Sequence, residues 1–137
     1  MTGRWYPVYS TYKRTFSYMD IDYIADTEPA IFNIIFNDYN PNKKPRIGHT
    51  IFDNDNSLLV TYNNKDDDHQ QAIYHILGYD PNRYVIIRFE STITNKVGVT
   101  VYSRGDGPNQ LNLLNIANNI LNRLGLNYNL QQTDTNG

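Results

Sequence analysis

The sequence predicts an α+β fold, in which helices pack on the faces of a central antiparallel sheet. Residues 97–102 alternate valine with other residue types, which is the period of a half-buried strand. Residues 108–125 then carry apolar side chains at helical spacing, between a proline suited to a first helical turn and a glycine suited to a helix end. A chain that contains both kinds of segment favours a layered α+β architecture.

Two further helices and several strands are predicted earlier in the chain. A helix is expected to begin at Asp26 or Thr27 and to carry the apolar side chains of residues 31–36 on one face. The acidic residues 66–68 suit the start of another helix, which Gly78 would close. Strands are predicted at residues 47–52 and 58–62, which form a hairpin around the turn-forming residues 53–56, and at residues 83–90.

The first 25 residues are rich in aromatic side chains and are predicted to be a partly disordered N-terminal extension. An edge strand laid on the domain and an arm that contacts a partner are two alternatives for this segment. Because the later helices and strands each have an apolar face to bury, the core is expected to close without the extension. Residues 26–128 would then form the globular domain, and residues 129–137 a flexible tail.

Composition limits the function classes. At 137 residues, with 39% hydrophobic and 19% charged residues, the chain is expected to form one globular domain. A net charge of −2 and a pI near 5.8 argue against a general affinity for nucleic acids. No transmembrane segment is predicted and the N-terminus lacks the apolar core of a signal peptide, so a cytoplasmic location is expected. The absence of cysteine excludes disulfides, thiol catalysis and cysteine-bound zinc.

No catalytic residue, resident metal or cofactor is predicted. Residues 53–57 have the oxygen spacing of a calcium loop, but Leu58 replaces the required glycine and Asn64 the required glutamate. The three histidines do not share one face of a predicted element, as metal ligands would. Residues 104–107 contain glycines before a predicted helix, as a phosphate-binding loop does, although a tight turn is the favoured explanation.

Three segments resemble profilins. Residues 108–112, with the sequence PNQLN, open a predicted helix that ends at Gly125, which is similar to the carboxyl-terminal signature of that family. Residues 51–60 resemble the first hairpin of profilins, and residues 83–90 resemble the strand that follows their second helix. The sequence is therefore identified as a divergent member of the family, of archaeal type.

The resemblance implies a profilin-like fold and a non-enzymatic protein that binds monomeric actin and regulates actin polymerisation. It also implies a monomer that is associated with the cytoskeleton. Asn112 matches a family residue that contacts actin, and Asn109 stands in place of a contacting glycine. Further candidates for the actin surface, by their location, are Arg88, Lys96, Tyr102 and Arg104.

Proline-rich peptides and a phosphoinositide are further partners that the resemblance implies. The aromatic candidates for binding a proline-rich peptide are Trp5, Tyr6, Phe32 and Phe36. The sequence departs from the family at this second site, because Leu59 stands where profilins have a tryptophan and the last helix offers no aromatic residue before Tyr128. Weak binding of proline-rich peptides is therefore expected.

Two alternatives stay open. Roadblock or longin domains share the same broad order of elements, and short matches between residues 30–32 and 72–74 suggest an internal repeat. Under this interpretation the chain is a dimeric scaffold that acts with a small GTPase, so oligomeric state would distinguish it from a monomeric profilin. An enzyme or nucleotide binder that uses residues 104–107 is the other alternative.

Overall fold

The computed structural model describes residues 2–12, 18–23, 31–37, 46–52, 57–62, 71–91, 96–105 and 111–133. Within these ranges the chain forms strands and a single helix. In chain order they are β1 Gly3–Ser10, β2 Tyr18–Tyr23, β3 Ile31–Asn37, β4 Arg46–Phe52, β5 Ser57–Tyr62, β6 Gln71–Asp80, β7 Tyr84–Ser91, β8 Val97–Ser103, α1 Leu111–Arg123 and β9 Gln131–Gln132.

The first eight strands close into an antiparallel barrel. From β2 to β8, each strand pairs with the next one along the chain. β1 completes the ring, because residues 3–5 pair with β2 while residues 6–10 pair with β8. β9 adds a short pairing to the last residues of β1. Closure pairs the backbone donors and acceptors that an open sheet leaves unpaired at its edges.

Two apolar clusters lie on opposite sides of the barrel wall. The interior cluster draws its buried side chains from six strands: Trp5, Met19, Ile21, Ile34, Ala72, Tyr74, Val85, Ile87 and Tyr102. The outer cluster packs α1 and the C-terminal segment against the barrel, and its buried members are Val8, Tyr9, Ile86, Val99, Val101, Leu113, Ala117, Leu121 and Leu130. Removal of these apolar surfaces from water is the main favourable contribution to folding.

The predicted α+β fold is wrong, because two of the three predicted helices are strands. Residues 31–36 lie in β3, and the helix predicted to end at Gly78 is β6. β6 is apolar on both faces, since Tyr74 packs in the interior cluster and Leu77 packs against the outer one. A strand that is buried on both faces shows a continuous apolar run, which periodicity cannot distinguish from a buried helix. β3 consists mainly of isoleucine and phenylalanine, which favour strands.

Residues 3–10 are part of the barrel and do not form a separate extension. Trp5 is 0% exposed in the interior cluster, and Tyr9 is buried in the outer one. This segment therefore contributes to both clusters, whereas the core was expected from the sequence to lie outside it. Near the other terminus, Leu130 and Thr133 are buried, and the Thr133 hydroxyl donates a hydrogen bond to the Pro7 carbonyl oxygen (2.6 Å). Residues 130–133 thus pack on the barrel as well.

Other elements predicted from the sequence are confirmed. The strands expected at residues 83–90 and 97–102 are β7 and β8, and the two strands of the predicted hairpin are β4 and β5. The C-terminal helix is α1, and Gly125 follows it with a φ of 69°, the left-handed conformation that ends many helices. The predicted helix caps at residues 26–27 and 66–68 and the turn at residues 53–56 lie outside the described residues.

The helix α1 packs closely on the barrel at Gly78. A Cβ atom at this position would lie 2.8 Å from Cδ1 of Ile120 and 3.3 Å from Cδ1 of Ile86, so a larger residue would displace one of them. Leu124, which was expected on the apolar face of the helix, is 51% exposed. Among the residues that the structure describes, no helix has the length and apolar character needed to cross a membrane.

Candidate functional site

One end of the barrel, which we call the Trp5 end, is closed by a stacked arginine and tryptophan. The guanidinium carbon of Arg104 lies 3.5 Å from the centre of the Trp5 ring. The same guanidinium donates hydrogen bonds to the carbonyl oxygens of Pro81 (2.9 Å), Arg4 (3.1 Å) and Thr2 (2.9 Å). A planar guanidinium suits this arrangement, because it donates hydrogen bonds in its plane while its face stacks on a ring. These contacts join the start of β1 to the β6–β7 turn and the end of β8.

The opposite end, which we call the Tyr12 end, has a different lining. Alternation from the interior residue Tyr102 places Gly98 and Thr100 of β8 on the inner face, and Ser10 of β1 is in register with Thr100. Phe89 of the neighbouring strand β7 is in register with Gly98 and packs against the interior cluster. Because β1 and β8 present small side chains here, they take up less of the interior than the large side chains of the Trp5 end.

Ser10 and Thr100 form a buried polar pair within this lining. Both residues are 7% exposed, and their hydroxyl oxygens share a hydrogen bond of 3.0 Å. The Ser10 hydroxyl also lies 3.3 Å from the Val99 carbonyl oxygen and accepts a hydrogen bond from the Tyr12 amide at 3.2 Å. Since a hydroxyl group has one donor and two acceptor positions, the bond to Ser10 leaves the Thr100 hydroxyl able to make further hydrogen bonds.

The barrel buries no charged group among the side chains whose burial the structure describes, which leave out most of those on β3, β4 and β5. Its buried polar side chains there are Ser10, Thr100, Ser103 and Thr133, all of them uncharged hydroxyl residues. Within the same ranges, no group of three or more potential metal ligands lies together. An ionised molecule would lose its hydration in such an interior without gaining an opposite charge. The described part of the lining therefore offers no opposite charge to an ionised molecule.

Charged side chains on the outer surface make ion pairs and hydrogen bonds there. Arg88 of β7 donates a hydrogen bond to the Tyr128 hydroxyl (3.3 Å) and lies 3.5 Å from the Glu90 carboxylate. The hydrogen bond with Tyr128 raises the pKa of Arg88 above its ordinary value. Arg4 pairs with Asp20 at 2.9 Å, and this hydrogen bond raises the pKa of Arg4. Both guanidinium groups therefore stay charged at physiological pH.

The residues predicted to bind actin do not form one surface. Tyr102 packs in the interior cluster, and Arg104 lies at the Trp5 end. Lys96 lies at the Tyr12 end, where its Nζ atom is 5.1 Å from the centre of the Tyr12 ring. The other three are Arg88 on the outer face of β7, Asn112 on the exposed side of α1, and Asn109, which lies outside the described residues.

Two of the aromatic residues predicted to bind a proline-rich peptide, Trp5 and Tyr6, lie on opposite faces of the barrel wall. Trp5 is buried inside the barrel, while Tyr6 is half-buried and packs edge-on against Tyr18, with ring centres 5.9 Å apart. Successive residues of a strand face opposite sides of the sheet, so the Trp5 and Tyr6 rings cannot form one platform. Phe32 and Phe36 lie on β3, and nothing beyond their backbone pairing is described.

Reasoning from the sequence did not single out the lining of the Tyr12 end. Ser10 and Thr100 become neighbours only when β1 pairs with β8, so no local sequence pattern predicts their contact. Gly98 was detectable, because an isolated glycine inside a strand often marks the close approach of another group.

A closed antiparallel barrel of eight strands is an architecture that lipocalins and streptavidin share, and in this chain a helix packs on its outer side. No protein-family model and no curated protein matches this chain. Among solved structures, apocrustacyanin C2 and the lobster apocrustacyanin A1 each align with a TM-score of 0.66 and 15% identity, over 96% of this chain and 76% of theirs. A deswapped triple mutant of the bovine odorant-binding protein aligns with a TM-score of 0.61 and 13% identity, over 96% of this chain and 91% of that one. At these identities the likeness shows the fold.

The barrel and these likenesses overturn the profilin resemblance. Residues 51–60 and 83–90, which suggested it, contribute to strands of the barrel, and most of residues 108–112 lie outside the described residues. The predicted binding of actin, of proline-rich peptides and of a phosphoinositide was wrong, as was the cytoskeletal role. The roadblock alternative fails too, because the chain forms a barrel of strands and its likenesses among solved structures share that fold. The similar structures are named as apoproteins and an odorant-binding protein, not as enzymes.

Proposed function

We propose that this protein binds one small, uncharged, largely apolar molecule inside the barrel, towards the Tyr12 end. The observation that carries the proposal is the closed ring of eight strands with an apolar inner face. An eight-stranded barrel has an interior that either its own side chains fill or one small ligand occupies. The likeness to an odorant-binding protein supports the second possibility.

The Trp5 end is unsuited to the ligand because large side chains already fill it. Trp5, Met19 and Val85 are each 0% exposed, and Arg104 covers the Trp5 ring. The Tyr12 end offers small side chains on β1 and β8 instead, so the ligand is expected to enter and bind from this side.

Burial of apolar surface would supply most of the binding free energy. Each Å² of apolar surface removed from water contributes about 25 cal/mol, and a molecule of a few hundred Å² can reach micromolar affinity, about −8 kcal/mol. The aromatic ring of Phe89 favours a flat or aromatic ligand. The hydroxyl of Thr100 offers a hydrogen bond to one polar group on it.

A titration with the neutral fluorescent probe N-phenyl-1-naphthylamine tests the proposal. We expect saturable binding of one probe molecule per chain, with a dissociation constant in the micromolar range. The substitution Ala72→Leu adds volume to the interior cluster and should weaken binding about tenfold. Leu59→Ser is the matched control, because Leu59 is 43% exposed on the outer face and should leave the affinity unchanged.

Two results would contradict the proposal. Failure of the probe and of a panel of small apolar compounds to bind at up to millimolar concentration would show that side chains fill the interior. Weaker binding in Leu59→Ser, with unchanged binding in Ala72→Leu, would show that the probe binds the outer surface. We also propose that the protein releases its ligand unchanged, which recovery of the intact compound after binding would test.

A further inference from the structure

The aromatic ring of Tyr12 lies across the inner face of β8 at the Tyr12 end. The ring lies against Gly98, where an added Cβ atom would lie 2.6 Å from Cδ2 of the ring. The ring centre is 5.6 Å from that of Phe89, with the two planes inclined at 47°. The Tyr12 hydroxyl donates a hydrogen bond of 2.8 Å to the Val97 carbonyl oxygen. The ring therefore occupies the space that the missing side chain of Gly98 leaves.

This ring separates the interior from solvent at that position. Tyr12 is 39% exposed, whereas Gly98 beneath it is buried. Lys96 places its Nζ atom 5.1 Å from the ring centre. One part of the ring thus contacts apolar interior residues while another part faces water, as expected of an amphipathic tyrosine at a boundary.

The backbone beside Tyr12 is hydrogen-bonded to β8, whereas the ring is held, among the described residues, by one hydrogen bond and by packing. The Thr11 amide donates to the Val99 carbonyl oxygen (3.0 Å), and the Val99 amide donates to the Thr11 hydroxyl (3.1 Å). The ring adds one exposed hydrogen bond through its hydroxyl, its packing against Phe89 and Gly98, and its contact with the Lys96 ammonium. Rotation of an exposed side chain is fast and needs no change in the barrel backbone.

We propose that Tyr12 is the gate of the ligand site, and that Gly98 is the seat that receives its ring when the gate is shut. A ligand that enters from the Tyr12 end must displace the ring, and the ring then covers the bound ligand. This inference rests on the proposed ligand binding inside the barrel. It adds the residue that controls the rate of entry and exit.

Stopped-flow binding of N-phenyl-1-naphthylamine measures the gate directly. Tyr12→Ala removes the ring, and Gly98→Ala displaces it from its seat, so both variants should raise the association rate about tenfold. Tyr12→Phe keeps the ring but loses the hydrogen bond to Val97, and should raise the rate about threefold. Tyr79→Ala is the matched control, because Tyr79 is a comparably exposed tyrosine that packs near Trp5 at the other end and should leave the rate unchanged.

Hydrogen exchange gives a readout that needs no ligand. The Val99 amide should exchange slowly in the wild-type protein and faster in Gly98→Ala, since the added Cβ would lie 2.6 Å from the Thr11 hydroxyl that accepts its hydrogen bond. Equal exchange in both proteins would refute the seat at Gly98.

The outcomes separate the two proposals. If the wild-type protein binds the probe and Tyr12→Ala leaves the association rate unchanged, the gate is refuted while ligand binding stands. If only Tyr12→Ala and Gly98→Ala bind, both proposals are supported and the wild-type gate is tightly shut. If none of these proteins binds the probe, the ligand site is refuted and the gate with it.

Discussion

Removal of the Arg104 guanidinium should destabilise the protein by about 3–4 kcal/mol. Each of the three hydrogen bonds that Arg104 donates to carbonyl oxygens contributes about 1 kcal/mol at this partly solvated position. The stacking on Trp5, at 3.5 Å from the ring centre, adds about 0.5–1 kcal/mol. Against the 5–15 kcal/mol that typically stabilises a domain, this loss is a large share. Arg104→Met keeps most of the apolar stem and so removes mainly these interactions.

Urea unfolding followed by the fluorescence of Trp5, the single tryptophan, measures this change. Arg104→Met should lower the midpoint without changing the slope, and Arg104→Lys should recover only about 1 kcal/mol because an ammonium lacks the planar fork. Arg83→Met is the matched control: Arg83 is exposed near the same end, 5.9 Å from the Tyr84 ring centre, and its loss should cost less than about 0.5 kcal/mol. A loss below 1 kcal/mol in Arg104→Met would refute the closing role of this residue.

Two further predictions concern the ends of the chain. Deleting residues 2–10 should abolish cooperative unfolding, because β1 pairs with both β2 and β8 and carries Trp5; a cooperative urea transition in the truncated protein would contradict this. Gly125→Ala should cost about 1 kcal/mol in thermal unfolding, since φ is 69° and an added Cβ would meet no atom of the described residues within 4 Å that could add a steric effect. Gly125→Asn should cost less, because asparagine tolerates this conformation better, and equal costs would argue against a backbone origin.

Local patterns in the sequence were sufficient to predict several elements. α1 has a clear apolar stripe and a glycine at its end, and β8 alternates along its length. In both elements the two faces carry different residue types, so the period of the secondary structure remains visible in the sequence. The strands β4, β5 and β7 were also predicted, although their place in a ring was not.

Only the tertiary structure determined that the segments of β3 and β6 are strands and not helices. The apolar residues of IFNIIFN in β3 are compatible with a helix or with a strand. β6 is apolar on both faces, because the barrel interior lies on one side of it and α1 on the other. When both faces of a segment are buried, the alternation that identifies a strand disappears from the sequence. Pairing with neighbouring strands then determines the conformation, and that pairing is not a local property.

The candidate site could not be predicted from local sequence patterns either, because its residues come together only through strand pairing. Arg104 was assigned to an actin-binding surface by its location in the profilin resemblance, yet it donates a hydrogen bond to the carbonyl oxygen of Arg4, 100 positions earlier in the chain. Likewise Ser10 and Thr100 meet only because β1 closes the ring against β8. The sequence by itself determined the elements whose periodicity is local. Closure of the barrel joins residues that are distant in sequence, and it determined which side chains line the interior, how each end is covered and where the Tyr12 side chain packs on Gly98.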